Sequence, residues 1–102
     1  MKEHAPGAWI TLNASYYIAP VCHPGRLQDD ADLLLDGAQG IIQSLGDRVG
    51  QGVDTDPDNF ASALWAAAIL IQMGQRSAHE AHKRLNCILK MEHDAEDDEV
   101  TE

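Results

Sequence analysis

The chain has 102 residues and a formal net charge of −10, with 17 acidic and 7 basic side chains. This length fits one small domain, and the acidic excess argues against gripping nucleic-acid phosphate, because such binding depends on Lys and Arg. Its 2 cysteines are too few for a disulfide framework, and neither a secretory signal nor an apolar run of membrane-spanning length is found. We therefore expect a cytoplasmic protein with reduced thiols.

The N-terminal segment, residues 1–26, is expected to be an extended arm. From Trp9 to Ile18 apolar and polar side chains alternate, which is the period of a half-buried strand, and we find no second strand in the sequence to pair with it. The arm could pack on the helices of its own chain, pair with its copy in a dimer, or add to the sheet of a partner. Pro24 and Gly25 are expected to end regular structure before the first helix.

The first helix is predicted from Leu27 to about Gly46, because apolar side chains recur there every three or four residues. Gly37 and Gly40 lie within it. Each lowers helix propensity by about 1 kcal/mol relative to Ala, but a glycine also permits close approach of a neighbouring backbone. We therefore expect a contact between small residues at these two positions.

The second helix is predicted to begin at Asp56, whose side chain can cap it, with Pro57 at the first helical position. It should continue to Met91, about 36 residues and about 54 Å, whereas the first helix spans about 30 Å. In an antiparallel hairpin, the second helix therefore extends past the first from roughly His79 onward. That end requires cover from the arm or from another chain.

Two apolar stripes run along the second helix on nearly opposite sides. One is expected to face the first helix, and the predicted hairpin seam consists of Leu34, Ile41, Leu45, Phe60, Leu64 and Ile71. The other stripe and the excess end are expected to bind protein, and the predicted protein-binding residues are Trp65, Ile69, Met73, Leu85, Ile88 and Leu89. The alternative for the second stripe is cover by the arm, with Trp9, Tyr16 and Tyr17 as candidate contacts.

The sequence contains no recognisable catalytic arrangement. His79 and His82 are three residues apart, whereas the zinc-protease helix motif separates its histidines by four, and His93 is the remaining candidate for a third ligand. The Asp-rich turn at residues 54–58 lacks the Gly and Glu that a calcium loop requires at its sixth and twelfth positions. We therefore expect no enzymatic activity, no metal and no cofactor.

The central stretch, Ala61 to Leu85, reads ASALWAAAILIQMGQRSAHEAHKRL and belongs to a short acidic chain with the layout of a helical hairpin. In size, charge and layout, residues 27–90 resemble the QslA-type anti-activators of quorum sensing. The resemblance implies a non-catalytic regulatory protein that binds the ligand-binding domain of a LuxR-type transcription factor. Such a protein occupies the dimerisation surface of the receptor and so blocks DNA binding.

The predicted fold is all-α, a two-helix antiparallel hairpin over residues 27–92 with the arm over residues 1–26 and a disordered acidic tail over residues 93–102. We expect homodimerisation to complete the hairpin as a bundle. The expected partners are a second copy and a protein, in the resembled form a LuxR-type transcription factor, with no direct contact to nucleic acid or membrane. The alternative functions are a structural homo-oligomer and a metal-dependent enzyme using His79, His82 and His93.

Overall fold

The computed structural model describes residues 7–52 and 56–100, and the side chains of residues 95–100 lie outside that description. Two helices pack along each other as a hairpin, and a small antiparallel sheet precedes them. The prediction of an all-α hairpin with an N-terminal arm is confirmed, whereas its completion by dimerisation stays a prediction. The elements in chain order are β1 (Ile10–Thr11), β2 (Ser15–Tyr16), α1 (Pro24–Gly50) and α2 (Pro57–Val100).

The first helix, α1, begins at Pro24 and not at Leu27, so Pro24 and Gly25 belong to the helix instead of ending the arm. Pro24 occupies the first helical position, where its missing N–H costs nothing. The N–H of Gly25 donates to Nδ1 of His23 across 3.0 Å, which caps the helix. The predicted start at Leu27 is wrong because proline at the first helical position favours a helix instead of breaking it.

Both helices end later than predicted. α1 passes through Gly46 and ends at Gly50, since a single Gly lowers helix propensity by only about 1 kcal/mol. α2 passes Met91 and ends at Val100, because neither Gly nor Pro occurs in the last 28 residues to stop it. The backbone of residues 93–100 is therefore helical where a disordered tail was predicted, and the last two residues lie outside the described part of the chain.

The predicted cap at the start of α2 is confirmed. The N–H of Asp58 donates to Oδ1 of Asp56 across 3.0 Å, and the N–H of Phe60 donates to the carbonyl oxygen of Asp56 across 2.9 Å. With 44 residues against 27, α2 is about 25 Å longer than α1. The predicted excess length of the second helix is therefore confirmed, and the chain extends 73 Å along its longest axis.

Small side chains occupy the centre of the seam between the two helices. The buried seam residues of α2, spaced seven apart, are Ala67, Gly74 and Ala81. The buried apolar residues of α1 are Pro24, Leu27, Ala31 and Ala38. A repeat of seven is the period at which helices pack lengthwise, and small side chains at that period allow the two backbones to approach closely.

The two helices approach each other closely at Gly74. A Cβ atom at this position would lie 2.8 Å from Cγ of Leu35 and 3.2 Å from the carbonyl oxygen of Ala31. By contrast, a Cβ at Gly37 or Gly40 would meet no atom within 4 Å. The prediction of a close contact at these two glycines of α1 is therefore wrong, and the close contact is made by the glycine of α2.

The predicted seam residues lie at the edges of this contact instead of at its centre. Leu64 is 43% exposed. The other five are half-buried, namely Leu34, Ile41, Leu45, Phe60 and Ile71. Because alanine and glycine draw the helices together, the larger apolar side chains spread to either side of the seam.

The two strands of the arm, β1 and β2, pair with each other as an antiparallel hairpin. Its antiparallel register joins Ile10 to Tyr16 and Thr11 to Ser15. Between the strands, the N–H of Leu12 donates to the carbonyl oxygen of Ala14 across 2.9 Å. The prediction of a single strand without a partner is therefore wrong, because the alternating stretch contains a tight turn that supplies both strands.

Candidate protein-binding surface

The first turns of α2 carry an apolar surface that α1 does not cover. Trp65 lies about 160° around the helix from the buried Ala67, and its side chain is 70% exposed. With Ala61, Leu64 and Ala68 it lines an open groove of about 350 Å³, named here the Trp65 groove. Aromatic side chains with this exposure are typical of sites where a partner binds.

The predicted stripe of Trp65, Ile69 and Met73 is divided by the arm. Nε1 of Trp9 donates to the carbonyl oxygen of Met73 across 3.0 Å and to Oγ of Ser77 across 2.9 Å. Ile69 and Met73 are half-buried, whereas Trp65 stays exposed. The arm therefore covers the Met73 end of the stripe, whereas the Trp65 end is exposed, and protein binding by this stripe stays a prediction.

Of the three aromatic residues considered as arm contacts, Trp9 is placed against α2, and Tyr16 and Tyr17 are 50% and 61% exposed. The sequence interpretation did not identify Ser77, which is 1% exposed and receives the indole N–H. A signal for this contact was present. A serine on an apolar helix face requires a hydrogen-bond partner when it is buried.

Arg84 fastens the segment between the arm and α1 to α2. Its Nη1 donates to the carbonyl oxygen of Cys22 across 3.0 Å, and its Nη2 donates to that of Ala19 across 2.8 Å. Nε of the same side chain pairs with Oε1 of Glu80 at 2.9 Å. The planar guanidinium presents its donors in a fixed fork, which suits several oxygen acceptors at once. From the sequence, no role is predicted for Arg84, whose carbonyl acceptors lie more than 60 positions away along the chain.

Past the start of α1, no helix among the described residues covers the seam face of α2. The first turn of α1 lines a cleft together with Ala81 and Leu85 of α2. The part of α2 that α1 covers therefore ends near these two residues. Large apolar side chains follow with exposures from 37% to 69%, and residues 85–91 are named the overhang. Its exposed apolar residues are Leu85, Ile88, Leu89 and Met91.

Two clefts meet at the first turn of α1, where His23 and Pro24 line both. The larger cleft has a volume of about 570 Å³, and Lys83 and Ile88 are among its lining residues. The smaller has a volume of about 270 Å³ and reaches Leu85. Within the described part of the chain, the ion pair of this region joins Arg84 to Glu80, and Lys83 has no hydrogen-bond or ion-pair partner.

Among the residues that the structure describes, no three His, Cys, Asp or Glu side chains gather closely enough to hold a metal ion. The three histidines considered as metal ligands, His79, His82 and His93, therefore do not form such a group. The turn considered as a calcium loop lies partly outside the described residues, since Asp54 and Thr55 are not among them. None of the described helical segments combines the length and apolar character needed to cross a membrane.

No family model matches the chain, and no curated protein or solved structure is significantly similar to it. A functional proposal therefore rests on the surfaces themselves, and the Trp65 groove and the overhang both expose large apolar side chains.

Proposed function

We propose that this protein is a non-catalytic regulator that acts by binding another protein through the apolar surface of α2. In the specific form implied by the resemblance to the QslA-type anti-activators, the partner is a LuxR-type transcription factor. The bound protein occupies the dimerisation surface of that factor and so prevents it from binding DNA. The observation that carries this proposal is Trp65, which is 70% exposed in an apolar groove.

The energetic argument concerns the Trp65 side chain. A tryptophan buries roughly 150–250 Å², and burial of apolar surface contributes about 25 cal/mol per Å². With 70% of the residue exposed, complete burial by a partner would contribute about 3 kcal/mol before the cost of association. A contribution of that size from one residue is typical of an interface hot spot.

Net charge supports a protein partner over a nucleic acid. The chain carries a formal charge of −10, so its field repels the phosphate backbone and it offers few cations to replace counterions. The proposed effect on DNA binding is therefore indirect, through the transcription factor. Because that factor acts on DNA inside the cell, the proposed location of the protein is the cytoplasm.

Self-association is part of the same proposal. The overhang is an exposed apolar face separate from the Trp65 groove, so a second copy could bind there while the groove binds a different protein. A structural homo-oligomer without a regulatory target is the second candidate function, and the overhang favours it as well, with Leu85 at 45% and Leu89 at 53% exposed. The two candidates differ in whether the Trp65 groove binds a different protein.

The test is a calorimetric titration of the protein into purified LuxR-type receptors of the source organism, loaded with autoinducer. The variant Trp65→Asp should weaken binding by about 100-fold, which corresponds to about 3 kcal/mol. Leu33→Asp is the matched control, because Leu33 is a 72% exposed apolar residue of α1 outside the groove, and it should bind as the parent does. Equal affinity of Trp65→Asp and the parent would contradict the proposal, as would a folded parent that binds none of the receptors.

A further inference from the structure

One side of α2 carries the contacts to the N-terminal arm in a regular order. Nε1 of Trp9 donates to the carbonyl oxygen of Met73 and to Oγ of Ser77. Further along α2, Arg84 binds the segment that joins the arm to α1. At about 100° per residue, Cys87 lies within about 80° of these three positions of α2 around the helix axis. The line of contacts to the arm therefore leads to Cys87.

The two cysteines of the chain line the same cleft. Cys22 and Cys87 are more than 60 positions apart in the sequence, yet both line the larger cleft at the start of α1, which has a volume of about 570 Å³. Arg84 lies one turn before Cys87 on α2, and its Nη1 donates to the carbonyl oxygen of Cys22 across 3.0 Å. The fold therefore brings both thiols to one site.

Both cysteines are free thiols that solvent reaches, since Cys87 is exposed and Cys22 is half-buried. The S–H of Cys22 makes a weak contact of 3.8 Å to the carbonyl oxygen of His23. Residues 17–23 contain neither helix nor strand, and Val21 beside Cys22 is 92% exposed. This segment is therefore free to adjust until the two Cα atoms reach the separation of about 4.4–6.8 Å that a disulfide requires.

We propose that Cys22 and Cys87 form a reversible disulfide when the protein meets a hydroperoxide. The exposed Cys87 reacts first. Its sulfur attacks hydrogen peroxide, an S–O bond forms as the O–O bond breaks, and one water leaves. The sulfur of Cys22 then attacks the sulfenic acid, the S–S bond forms as the S–O bond breaks, and a second water leaves with the Cys22 proton. Together the two thiols lose two electrons, which reduce one peroxide to two waters.

The disulfide would join the segment before α1 covalently to the overhang, which contains Cys87. In the reduced protein, the hydrogen bonds of Arg84 hold this segment against α2. Two equivalents of a small thiol such as glutathione reverse the bond by thiol–disulfide exchange, as is typical of redox-sensing disulfides in the cytoplasm. The site is separate from the Trp65 groove, so the disulfide does not depend on receptor binding.

The first test is oxidation of the reduced full chain by one equivalent of hydrogen peroxide, followed by intact mass and peptide mapping. The monomer should lose about 2 Da and both free thiols, yield a linked peptide containing Cys22 and Cys87, and recover with dithiothreitol. Cys22→Ser should instead accumulate a sulfenic acid at Cys87 that dimedone traps. A parent chain that gives only sulfinic acid, only disulfides between chains, or no oxidation of Cys87 would overturn the proposal.

The second test measures whether the fold brings the thiols together. The protein is equilibrated with reduced and oxidised glutathione, and the bridged fraction gives the effective concentration of one thiol at the other. This concentration should be at least about tenfold higher in the native chain than in the chain unfolded by urea, and Arg84→Lys should lower it by about threefold. Arg76→Lys is the control and should equal the parent. Equal values for native and unfolded chains, or for Arg84→Lys and Arg76→Lys, would overturn the placement of the thiols by the fold.

Discussion

The two halves of α2 differ in the size of the side chains on one face and in whether another helix buries them. In the half that packs against α1, the buried residues at the centre of the face are Ala67, Gly74 and Ala81. On the overhang, the same face carries leucine and isoleucine, and these are exposed. On this face of α2, the large apolar residues are therefore exposed and the small residues are buried.

This difference shows how a short chain divides its apolar residues between folding and binding. Small residues hold α1 close, and the close approach leaves room at the rim for larger side chains, such as Leu64, which is 43% exposed beside Trp65. The overhang has large residues because no neighbouring helix of the same chain restricts their size. Four substitutions, taken in order of expected effect, test this division.

The largest effect is expected for Gly74→Leu. Its Cβ alone would approach Cγ of Leu35 to 2.8 Å, and the rest of the side chain would force α1 and α2 apart. Overpacking of this kind should lower the free energy of unfolding by about 3 kcal/mol, measured by urea denaturation followed by circular dichroism. Gly37→Leu is the control, since a Cβ there meets nothing within 4 Å, and it should be neutral or stabilising. Equal losses for the two variants would show that the seam is not close-packed at Gly74.

Trp9→Phe should lower the free energy of unfolding by about 1–2 kcal/mol, because it leaves Oγ of the buried Ser77 without its indole donor. Tyr17→Phe, at a residue that is 61% exposed, is the control and should change stability by less than about 0.5 kcal/mol. If the two variants are equally stable, the arm does not depend on this hydrogen bond for its position on α2.

Arg84→Lys should lower stability by about 1 kcal/mol, since lysine cannot bond the carbonyls of Cys22 and Ala19 together with Glu80. The expected signature is local. Amide hydrogen exchange should accelerate over the arm and the segment leading to α1, while the centre of the seam keeps its protection. Arg76→Lys is the control, and an arm that exchanges equally fast in both variants would contradict the role assigned to Arg84.

The smallest effect is expected for Ile88→Ser on the overhang. At protein concentrations low enough to keep the chain monomeric, the free energy of unfolding should change by less than about 0.5 kcal/mol, because no helix of the same chain covers this residue. The comparison variant is Leu27→Ser, at a seam residue that is 4% exposed, for which a loss of about 2–4 kcal/mol is expected. A comparable loss at Ile88 would show that the overhang is covered within the chain.

Features set by short stretches of sequence were predictable. The cap at Asp56 depends on neighbouring residues, and the excess length of α2 follows from the absence of helix-breaking residues after Gly74. The start of α1 depends on equally local sequence, since proline favours the first helical position, and the predicted placement of Pro24 in the arm is wrong for that reason.

Features set by distant residues were not predictable in the same way. Gly74 is tight because Leu35 and Ala31 of α1 face it, whereas a Cβ at Gly37 of α1 would meet no atom within 4 Å, and this contrast depends on the rotation of both helices. The bonds from Arg84 to Ala19 and Cys22 join residues more than 60 positions apart. For the candidate binding surface, periodicity placed Trp65 away from α1, and its side chain is 70% exposed, but periodicity did not show that Trp9 contacts the same stripe at Met73.

The proposed regulatory role is tested most directly by the binding of a LuxR-type receptor to fluorescent operator DNA, followed by anisotropy as the protein is added. The account predicts that the parent protein releases the receptor from DNA in a dose-dependent manner. Trp65→Asp should leave the receptor bound, and Leu33→Asp should act as the parent does. A parent protein that leaves the receptor on its operator at every concentration, or a Trp65→Asp variant that releases it equally well, would contradict the account.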